Sequence, residues 1–292
     1  MVAEIVQEKR KQVENCLKTL LTEETCKSEK LREAMNYSLL AGGKRIRPIL
    51  FLAALDMLGV ASVQYISVAG AIECIHTYSL IHDDLPQMDN DEYRRGRLTN
   101  HKVYGAGVAT MAGDGLLTFA FELLAKDTSL DPKIQIRLIR LLAEAAGASG
   151  MVAGQVLDIE AEGNRISLEA LQKLDALKTG CLLTVPLDMA AEIASCSDKE
   201  RHCLHQYGIH LGQLFQITDD LMDQEGALST MGKLPGQDIV QKKSTYVSLL
   251  GAYDARKAAL KEAEAAAAMV EHWGSGGLFF KELPQILLHR TK

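Results

Sequence analysis

Carboxylates cluster twice in this sequence, as DDLPQMD at residues 83–89 and as DDLMD at residues 219–223. Carboxylates this close repel one another, and each raises the pKa of its neighbours unless a cation separates them. Carboxylate oxygens are the ligands that hard divalent cations prefer. Apolar residues lead into both clusters, which argues against two simply solvated acidic surfaces. The sequence therefore predicts two sites for divalent cations, each close to an apolar cavity.

The spacing within the two clusters predicts different local structures. Asp219 and Asp223 are four residues apart, so an unbroken helix presents both on one face. Asp83 and Asp89 are six residues apart, and an unbroken helix would turn them away from a common face. Pro86 lies between them and lacks a backbone donor, so we expect the helix to break there and Asp89 to return towards Asp83.

Basic residues gather beside glycines at expected helix boundaries. Such boundaries have free backbone N–H groups that bind anions. Arginine forks suit diphosphate oxygens, and lysine supplies a point charge. The chain has neither G-x-x-x-x-G-K-[ST] nor G-x-G-x-x-G, so a nucleotide cofactor is not expected. The basic residues of interest are Lys44, Arg45, Arg47, Arg94, Arg95, Arg97, Lys178, Lys233, Lys242 and Lys243.

Histidine offers one candidate ligand-binding side chain and one weaker cluster. His76 lies seven residues before Asp83 on the same helical face, from which it could reach a ligand held there. His202, His205 and His210 could form a zinc site. Because neither H-E-x-x-H nor paired cysteines accompany them, an ordinary helix face is the better interpretation.

The elements that must position these residues are helices. Ala, Leu, Glu and Lys dominate the chain, and residues of high β-propensity do not form alternating runs. Helical patterns fill residues 2–22, 29–41, 48–58, 64–84, 107–125, 132–146, 167–195, 199–223 and 244–270. No strand is expected. The prediction is an all-α protein, one large helical bundle around a central apolar cavity, with residues 1–292 as a single domain.

Charge and composition exclude several classes. The net charge of −6 disfavours general nucleic-acid binding. The six cysteines are irregularly spaced, which is typical of reduced thiols in the cytoplasm. The longest strongly apolar run, residues 49–55, is shorter than the roughly 20 residues that span a bilayer. A soluble, cytoplasmic protein without a membrane span is therefore expected.

Several motifs together resemble those of the trans-isoprenyl diphosphate synthases. They are GGKRIRP, DDLPQMD with the following RRG, KTG, FQITDDLMD, and MGKLPGQD with the following KKSTY, in that order. The resemblance covers nearly the whole chain and is strongest with the bacterial members that make a C15 product. It implies an all-α homodimer, a site for three Mg²⁺ ions, and condensation of isopentenyl diphosphate with an allylic diphosphate, dimethylallyl or geranyl.

The resemblance also implies a role for each motif residue. Direct Mg²⁺ ligands would be Asp83, Asp89 and Asp219, supported by Asp84, Asp220 and Asp223. The allylic diphosphate would be held by Arg94, Lys178, Lys233 and Lys243. Isopentenyl diphosphate would be held by Lys44, Arg47, His76 and Arg95. The carbocation would be lined by Thr179 and Gln216, and the released diphosphate is expected to accept the proton.

Product length and two departures from the family pattern leave alternatives open. Tyr78, next to Ser79, precedes Asp83 by five residues, or about 7.5 Å along a helix, and could floor the cavity; a packed core tyrosine is about as plausible. Lys242 and Val247 stand where the family often has glycine and proline, which weakens the assignment of Lys243. The alternatives to a C15 synthase are a C10 or C20 synthase, a non-catalytic partner subunit and a head-to-head synthase.

Overall fold

A computed structural model describes residues 2–225 and 244–289 of the chain. The all-α prediction is confirmed, because helices make up nearly all of the regular structure. The helices are α1 (Val2–Leu20), α2 (Glu29–Leu39), α3 (Ile46–Met57), α4 (Ile66–Asp83), α5 (Asn100–Tyr104), α6 (Ala106–Lys126), α7 (Pro132–Ala146), α8 (Met151–Ala161), α9 (Leu168–Asp175), α10 (Cys181–Ile193), α11 (Asp198–Glu225), α12 (Tyr246–Leu250), α13 (Ala252–Met269) and α14 (Leu278–Leu288).

The expectation that the chain has no strand was wrong at one place. Strands β1 (Tyr93–Arg94) and β2 (Arg97–Leu98) pair in antiparallel register, with Arg94 opposite Arg97. Arg95 and Gly96 form the two-residue connection, with φ of 54° and 72°. Positive φ at both positions is what the tightest hairpin turns require, and arginine rarely adopts it. The pattern RRGR therefore gave no strand signal, although it forms a hairpin.

Two expected helices are interrupted. The segment expected to be helical from residue 167 to residue 195 contains a π turn, Ala176–Gly180, between α9 and α10. The segment expected from residue 244 is divided into α12 and α13 at Gly251, whose φ is 82°. The glycine-rich segment before the last helix forms 3₁₀ turns, Glu271–Gly277, with a kink at Gly274.

The chain divides into two compact units, and the boundary falls within α7. The N-terminal unit comprises residues 3–56 and 60–139. The C-terminal unit comprises the described residues from 140 onwards, together with Val2 and residues 57–59. The single-domain assignment stays a prediction.

In the N-terminal unit, α4 packs mainly against α6. A Cβ atom at Gly113 of α6 would lie 2.2 Å from Nε2 of His82, so glycine allows the two helices to approach closely at the end of α4. Helix α6 is long and apolar enough, by length and composition alone, to cross a membrane. Its packing against α4, with Leu116, Phe119 and Leu124 buried, is that of a core helix.

In the C-terminal unit, α11 packs against α10 on one side and α13 on another. Glycines make the contacts on this side close: a Cβ atom at Gly208 would lie 2.7 Å from Cα of Thr184 in α10, and one at Gly212 would lie 2.9 Å from Cα of Gly180 in the π turn before α10. The α13 contact uses small residues instead, and Ala255, Ala259, Ala263 and Ala266 are fully buried. Helix α11, which carries the second acidic cluster, is thereby fixed against the turn that carries Lys178.

Candidate active site

The first acidic cluster lies where α4 ends. Asp83 is the last residue of the helix, and Asp84 follows it as the C-cap. Beyond Pro86 the chain folds back, because the backbone N–H of Asp89 donates to the carbonyl of Asp83 at 2.9 Å. A second bond, from N–H of Asn90 to the carbonyl of Leu85 at 3.1 Å, closes the same loop. The expected break and return are therefore present, and they bring the backbones of residues 83 and 89 together.

Asp84 differs from its neighbours in this cluster because it is buried, with 3% of its surface exposed. Both of its oxygens accept from Nε of Arg94, at 2.7 and 2.8 Å, and Asp91 lies 3.4 Å from Nη2 of the same arginine. Burial disfavours the charge of Arg94, but the bonds and charges of the two carboxylates outweigh it and raise its pKa. Arg94, which the family assigns to substrate, therefore already pairs with Asp84.

An arginine-rich surface adjoins this cluster in the N-terminal unit. Nη1 of Arg47 lies 3.5 Å from Nε2 of His76. Arg95 donates to the carbonyl of Gly42, and a Cβ atom at Gly43 would lie 2.6 Å from Cζ of Arg95. Burial, followed by the charges of Arg47 and other arginines, lowers the pKa of His76 well below its usual value. His76 is therefore neutral at pH 7 and can still donate one hydrogen bond to an anion.

Arg45, which the sequence grouped with the anion-binding residues, is used internally. Its side chain is fully buried and donates to Glu14 at 2.7 Å, to Glu73 at 2.5 Å and to the carbonyl of Leu39 at 2.7 Å. Its φ of 52° is unusual for a residue other than glycine. The three bonds hold this backbone in place between Lys44 and Arg47. No sequence signal distinguishes Arg45 from the basic residues on either side.

The second acidic cluster lies on an unbroken helix. Asp219 and Asp223 are partly exposed, whereas Asp220 is 6% exposed. Asp220 accepts from the backbone N–H of Tyr246 at 2.8 Å and from Nε2 of Gln216 at 3.3 Å. Oε1 of Gln216 in turn accepts from the hydroxyl of Thr179 at 3.4 Å. Three residues assigned by resemblance, Thr179, Gln216 and Asp220, thus form one hydrogen-bonded chain.

The π turn presents the lysine of the KTG motif. Nζ of Lys178 lies 2.5 Å from Oδ2 of Asp158 on α8. A Cβ atom at Gly154 would lie 2.2 Å from the backbone nitrogen of Lys178, so α8 packs directly on the turn. Turns of this kind are frequent at functional sites. Asp158 was not among the predicted site residues, because an aspartate within an apolar helix carries no signal of its partner.

A cavity of about 120 Å³ joins these groups in the C-terminal unit. Its polar lining includes Asp158, Glu162, Asp175, Lys178, Thr179, Gln216 and Asp220. Asp175 was also missed. It is 6% exposed, and its Oδ2 atom is buried without a hydrogen-bond partner. Burial, followed by the charges of Asp220 and Asp158, raises the pKa of Asp175 to about 8, although Lys178 opposes the shift.

Tyr78 and Ser79 lie on the last turns of α4. Tyr78 is buried, and its ring meets that of His82 edge to face, with 5.6 Å between the ring centroids. Burial, assisted by the charge of Asp83, raises the pKa of Tyr78 to about 12. The hydroxyl of Ser79 donates to the carbonyl of His76 at 2.9 Å. Both packing and chain-length roles remain compatible with these contacts.

The residues fit Mg²⁺ as a partly bound ion rather than as one held by a closed protein cage. Lys233, Lys242 and Lys243 lie outside the described residues. Within residues 2–225 and 244–289, no three His, Cys, Asp or Glu side chains converge as a ready-made metal site. Partly exposed carboxylates that leave coordination positions for water and phosphate oxygens are the usual arrangement for Mg²⁺.

Comparisons with known proteins agree on one family. The polyprenyl synthetase model matches residues 28–272. Farnesyl diphosphate synthase of Geobacillus stearothermophilus is 48% identical, over 81% of this chain and 80% of its own. The large subunit 1 of a chloroplastic heterodimeric geranylgeranyl pyrophosphate synthase of Arabidopsis thaliana is 46% identical, over 80% of this chain and 64% of its own. A Helicobacter pylori geranyltransferase, solved with magnesium and isoprenyl diphosphate, matches with a TM-score of 0.85 and 32% identity, over 98% of this chain and 95% of that chain.

Proposed function

Because the chain belongs to the polyprenyl synthetase family, as its motifs predicted, we propose that it is a farnesyl diphosphate synthase. It condenses isopentenyl diphosphate with dimethylallyl diphosphate, and then with geranyl diphosphate, in a head-to-tail reaction. In each round the allylic C–O bond breaks and diphosphate leaves. The alkene of isopentenyl diphosphate then forms a bond to the allylic carbon, and a proton is lost from the adjacent carbon.

One observation carries the proposal: the two Asp-Asp pairs show the same pattern of burial and hydrogen bonding. The first aspartate of each pair, Asp83 or Asp219, is partly exposed, and the second, Asp84 or Asp220, is buried and hydrogen-bonded within the protein. This shared pattern would not be expected of two acidic surfaces that are simply solvated. It supports Asp83, Asp89 and Asp219 as the metal ligands, with Asp84, Asp220 and Asp223 supporting them.

Mg²⁺ bound by these carboxylates, which we expect as three ions, would neutralise the diphosphate and so favour cleavage of the allylic C–O bond. We assign the allylic diphosphate to Lys178 and Arg94, together with Lys233 and Lys243. Lys178 would release Asp158 to reach the substrate, since its ammonium is now paired there. Arg94 would keep its bond to Asp84 and offer its remaining N–H groups.

Isopentenyl diphosphate would bind to Lys44, Arg47, His76 and Arg95. Neutral His76 adds a hydrogen-bond donor without the cost of a further charge beside Arg47. Arg45 fixes the backbone that carries Lys44 and Arg47, and its own charge is balanced by Glu14 and Glu73 rather than by substrate. The site thus combines several fixed positive charges with one neutral donor.

After ionisation, oxygens of Thr179 and Gln216 would face the allylic cation and stabilise it electrostatically. The hydrocarbon must be kept from water at this stage, since water would compete with the alkene for the cation. No described side chain in either site is an evident base for the final proton. The departing diphosphate therefore remains the expected acceptor.

We further propose a homodimer in the cytoplasm, acting on small diphosphates, without nucleic acid and without a membrane span. A C10 or C20 product is the main alternative, since the Arabidopsis relative is the subunit of a geranylgeranyl pyrophosphate synthase. A non-catalytic subunit is disfavoured because both acidic clusters and Lys178 are retained. A head-to-head synthase is disfavoured by the basic GGKRIRP segment, which such an enzyme need not keep.

The test uses purified protein with Mg²⁺, dimethylallyl diphosphate and labelled isopentenyl diphosphate, followed by chromatographic sizing of the products. A farnesyl product that depends on Mg²⁺ supports the proposal. A geranyl or geranylgeranyl product would replace the chain-length assignment, and no condensation at all would reject the activity. Light scattering of the same sample would test the dimer.

A further inference from the structure

Asp175 is a buried carboxyl that the proposed reaction does not use. It is the last residue of α9, one turn before Lys178, and it lines the same cavity of about 120 Å³ as Lys178, Thr179, Gln216 and Asp220. Only 6% of its surface is exposed, and its Oδ2 atom has no hydrogen-bond partner. A buried ionised oxygen without a partner is costly, whereas a protonated carboxyl carries no charge to solvate.

The groups that face Asp175 come from every element around the cavity. Helix α8 contributes Asp158, and exposed Glu162 follows at its C-terminal end. The π turn contributes Lys178, α11 contributes Asp220, and α12 contributes Tyr246. Among the described residues that face Asp175, Lys178 is the one cation, and it is paired with Asp158 at 2.5 Å. Asp220 is engaged by the backbone of Tyr246 and by Gln216. Within the described part of the chain, Asp175 therefore meets two carboxylates and a lysine that already has a closer partner.

We propose that Asp175 is a positioning residue that is protonated in the substrate-free enzyme, and that its neutral form keeps the ammonium of Lys178 available to the allylic diphosphate. The inference rests on the proposed prenyl transfer, which assigns Lys178 to that substrate. If Asp175 ionises, the described side chains around the ammonium of Lys178 include three carboxylates, Asp158, Asp175 and Asp220, at the point where an anion must bind. The ammonium is then held between Asp158 and Asp175, and the added negative charge repels the diphosphate.

The direction of the pH effect follows. Burial and the neighbouring carboxylates raise the pKa of Asp175 to about 8, so the neutral form persists through neutral pH and is lost above it. We expect the KM for the allylic diphosphate to rise about tenfold as the carboxyl ionises. The KM for isopentenyl diphosphate should not follow, because none of its proposed ligands, Lys44, Arg47, His76 and Arg95, lines the cavity that contains Asp175.

Asp175→Asn is the decisive variant, because an amide imitates the neutral acid and cannot ionise. The matched control is Asp254→Asn, which removes one negative charge at an exposed position in the first turn of α13. The KM for dimethylallyl diphosphate is measured from pH about 6.5 to about 9.5, on either side of the shifted pKa. Since the substrate also titrates, the measured quantity is the difference between each variant and the wild type.

We expect Asp175→Asn to match the wild type at low pH and to bind the allylic substrate about tenfold better at high pH. Asp254→Asn should follow the wild type throughout. Identical profiles for Asp175→Asn and the wild type would overturn the proposal, as would an equal change in both KM values, which would indicate a merely structural role.

Infrared spectroscopy tests the proton without relying on turnover. Substrate-free wild-type protein with ¹³C-labelled aspartate should show the carbonyl stretch of a protonated carboxyl at neutral pH. The band should disappear as the pH rises through about 8, and it should be missing from Asp175→Asn. If that variant does not fold, the wild-type titration still decides, since the lack of a band at neutral pH overturns the proposal. Failure of prenyl transfer with the band present would reject the proposed function but not the protonated carboxyl.

Discussion

The two acidic clusters show the same pattern of burial, although their backbone structures differ. In the N-terminal unit, α4 ends at Asp83 and the chain returns so that the backbone of Asp89 bonds to that of Asp83. In the C-terminal unit, α11 continues without a break, and helical periodicity alone places Asp219 and Asp223 on one face. A partly exposed carboxylate followed by a buried one can therefore be built at a helix end or within a helix.

The buried aspartates of the two pairs differ in what holds them. Asp84 is neutralised by the guanidinium of Arg94, whereas the partners of Asp220 within the described residues include a backbone N–H and a side-chain amide, neither of which is charged. Among the described contacts, the first cluster thus contains an internal ion pair that the second does not show.

Replacing a partly exposed aspartate of either pair should cause the largest loss of activity. Replacing Asp83 or Asp219 by Asn should lower the rate of product formation about 10³-fold or more, because a Mg²⁺ ligand is lost and the diphosphate is neutralised less completely. Steady-state kinetics at saturating Mg²⁺ measures the loss, and Asp254→Asn is the control. A loss in only one of the two variants would break the equivalence of the clusters.

Replacing the two buried aspartates, Asp84 and Asp220, should lower the free energy of unfolding by different amounts. Asp84→Asn leaves Arg94 without its main countercharge and should lower the free energy of unfolding by about 3 kcal/mol. Asp220→Asn loses neutral hydrogen bonds and should cost about 1 kcal/mol. Urea unfolding of both variants measures the difference. Equal costs would mean that the ion pair with Arg94 contributes no more than the bonds of Asp220.

Two adjacent glycines test the isopentenyl diphosphate site. Gly43→Ala places a methyl group where Cζ of Arg95 would be 2.6 Å away, so Arg95 must move. Gly42→Ala also substitutes a positive-φ glycine, but nothing lies within 4 Å of its Cβ position. The KM for isopentenyl diphosphate should rise about tenfold more in Gly43→Ala than in Gly42→Ala, by the loss of one charged contact.

If both alanine variants change that KM equally, backbone strain rather than displacement of Arg95 is responsible. The KM for the allylic substrate should stay unchanged in both. An equal rise in the allylic KM would contradict the assignment of Arg95 to isopentenyl diphosphate.

The smallest expected effect is a shift in product length. Tyr78 lies five residues before Asp83, and Leu214 occupies the corresponding position before Asp219; both are buried. If Tyr78 floors the cavity, Tyr78→Ala should add products longer than C15, whereas Leu214→Ala should lower stability by about 2–5 kcal/mol without lengthening products. Chromatography of the products and thermal unfolding check the pair. Unchanged products from Tyr78→Ala would leave Tyr78 as a core residue.

Sequence periodicity predicted the helices well where tertiary packing agreed with local preference. The helical pattern predicted at residues 132–146 corresponds to α7, which begins at Pro132, and a side-chain oxygen of Asp131 accepts from the backbone N–H of Lys133 at 2.9 Å. The return of the chain after Pro86 was also predictable, because proline cannot donate to the helix. These features depend on residues close in sequence.

The parts that sequence did not predict depend on distant neighbours or rare backbone states. The π turn before Cys181 forms while α8 and α11 pack closely against it at Gly154 and Gly212, and residues 176–180 alone contain no signal for it. The hairpin requires a positive φ at Arg95. Burial of Arg45 and Asp175 likewise follows from tertiary packing. The sequence alone therefore does not distinguish these two buried side chains from exposed charged residues nearby.

A crystal structure with Mg²⁺ and a non-ionising allylic diphosphate analogue would test the central claim most directly. The account predicts carboxylate oxygens of Asp83, Asp89 and Asp219 at about 2.1 Å from Mg²⁺ ions that also contact the diphosphate. Asp84 and Asp220 should keep their present bonds to Arg94 and to the backbone of Tyr246. Diphosphate bound away from Asp83 and Asp219, or Mg²⁺ held by Asp84 and Asp220 instead, would contradict it.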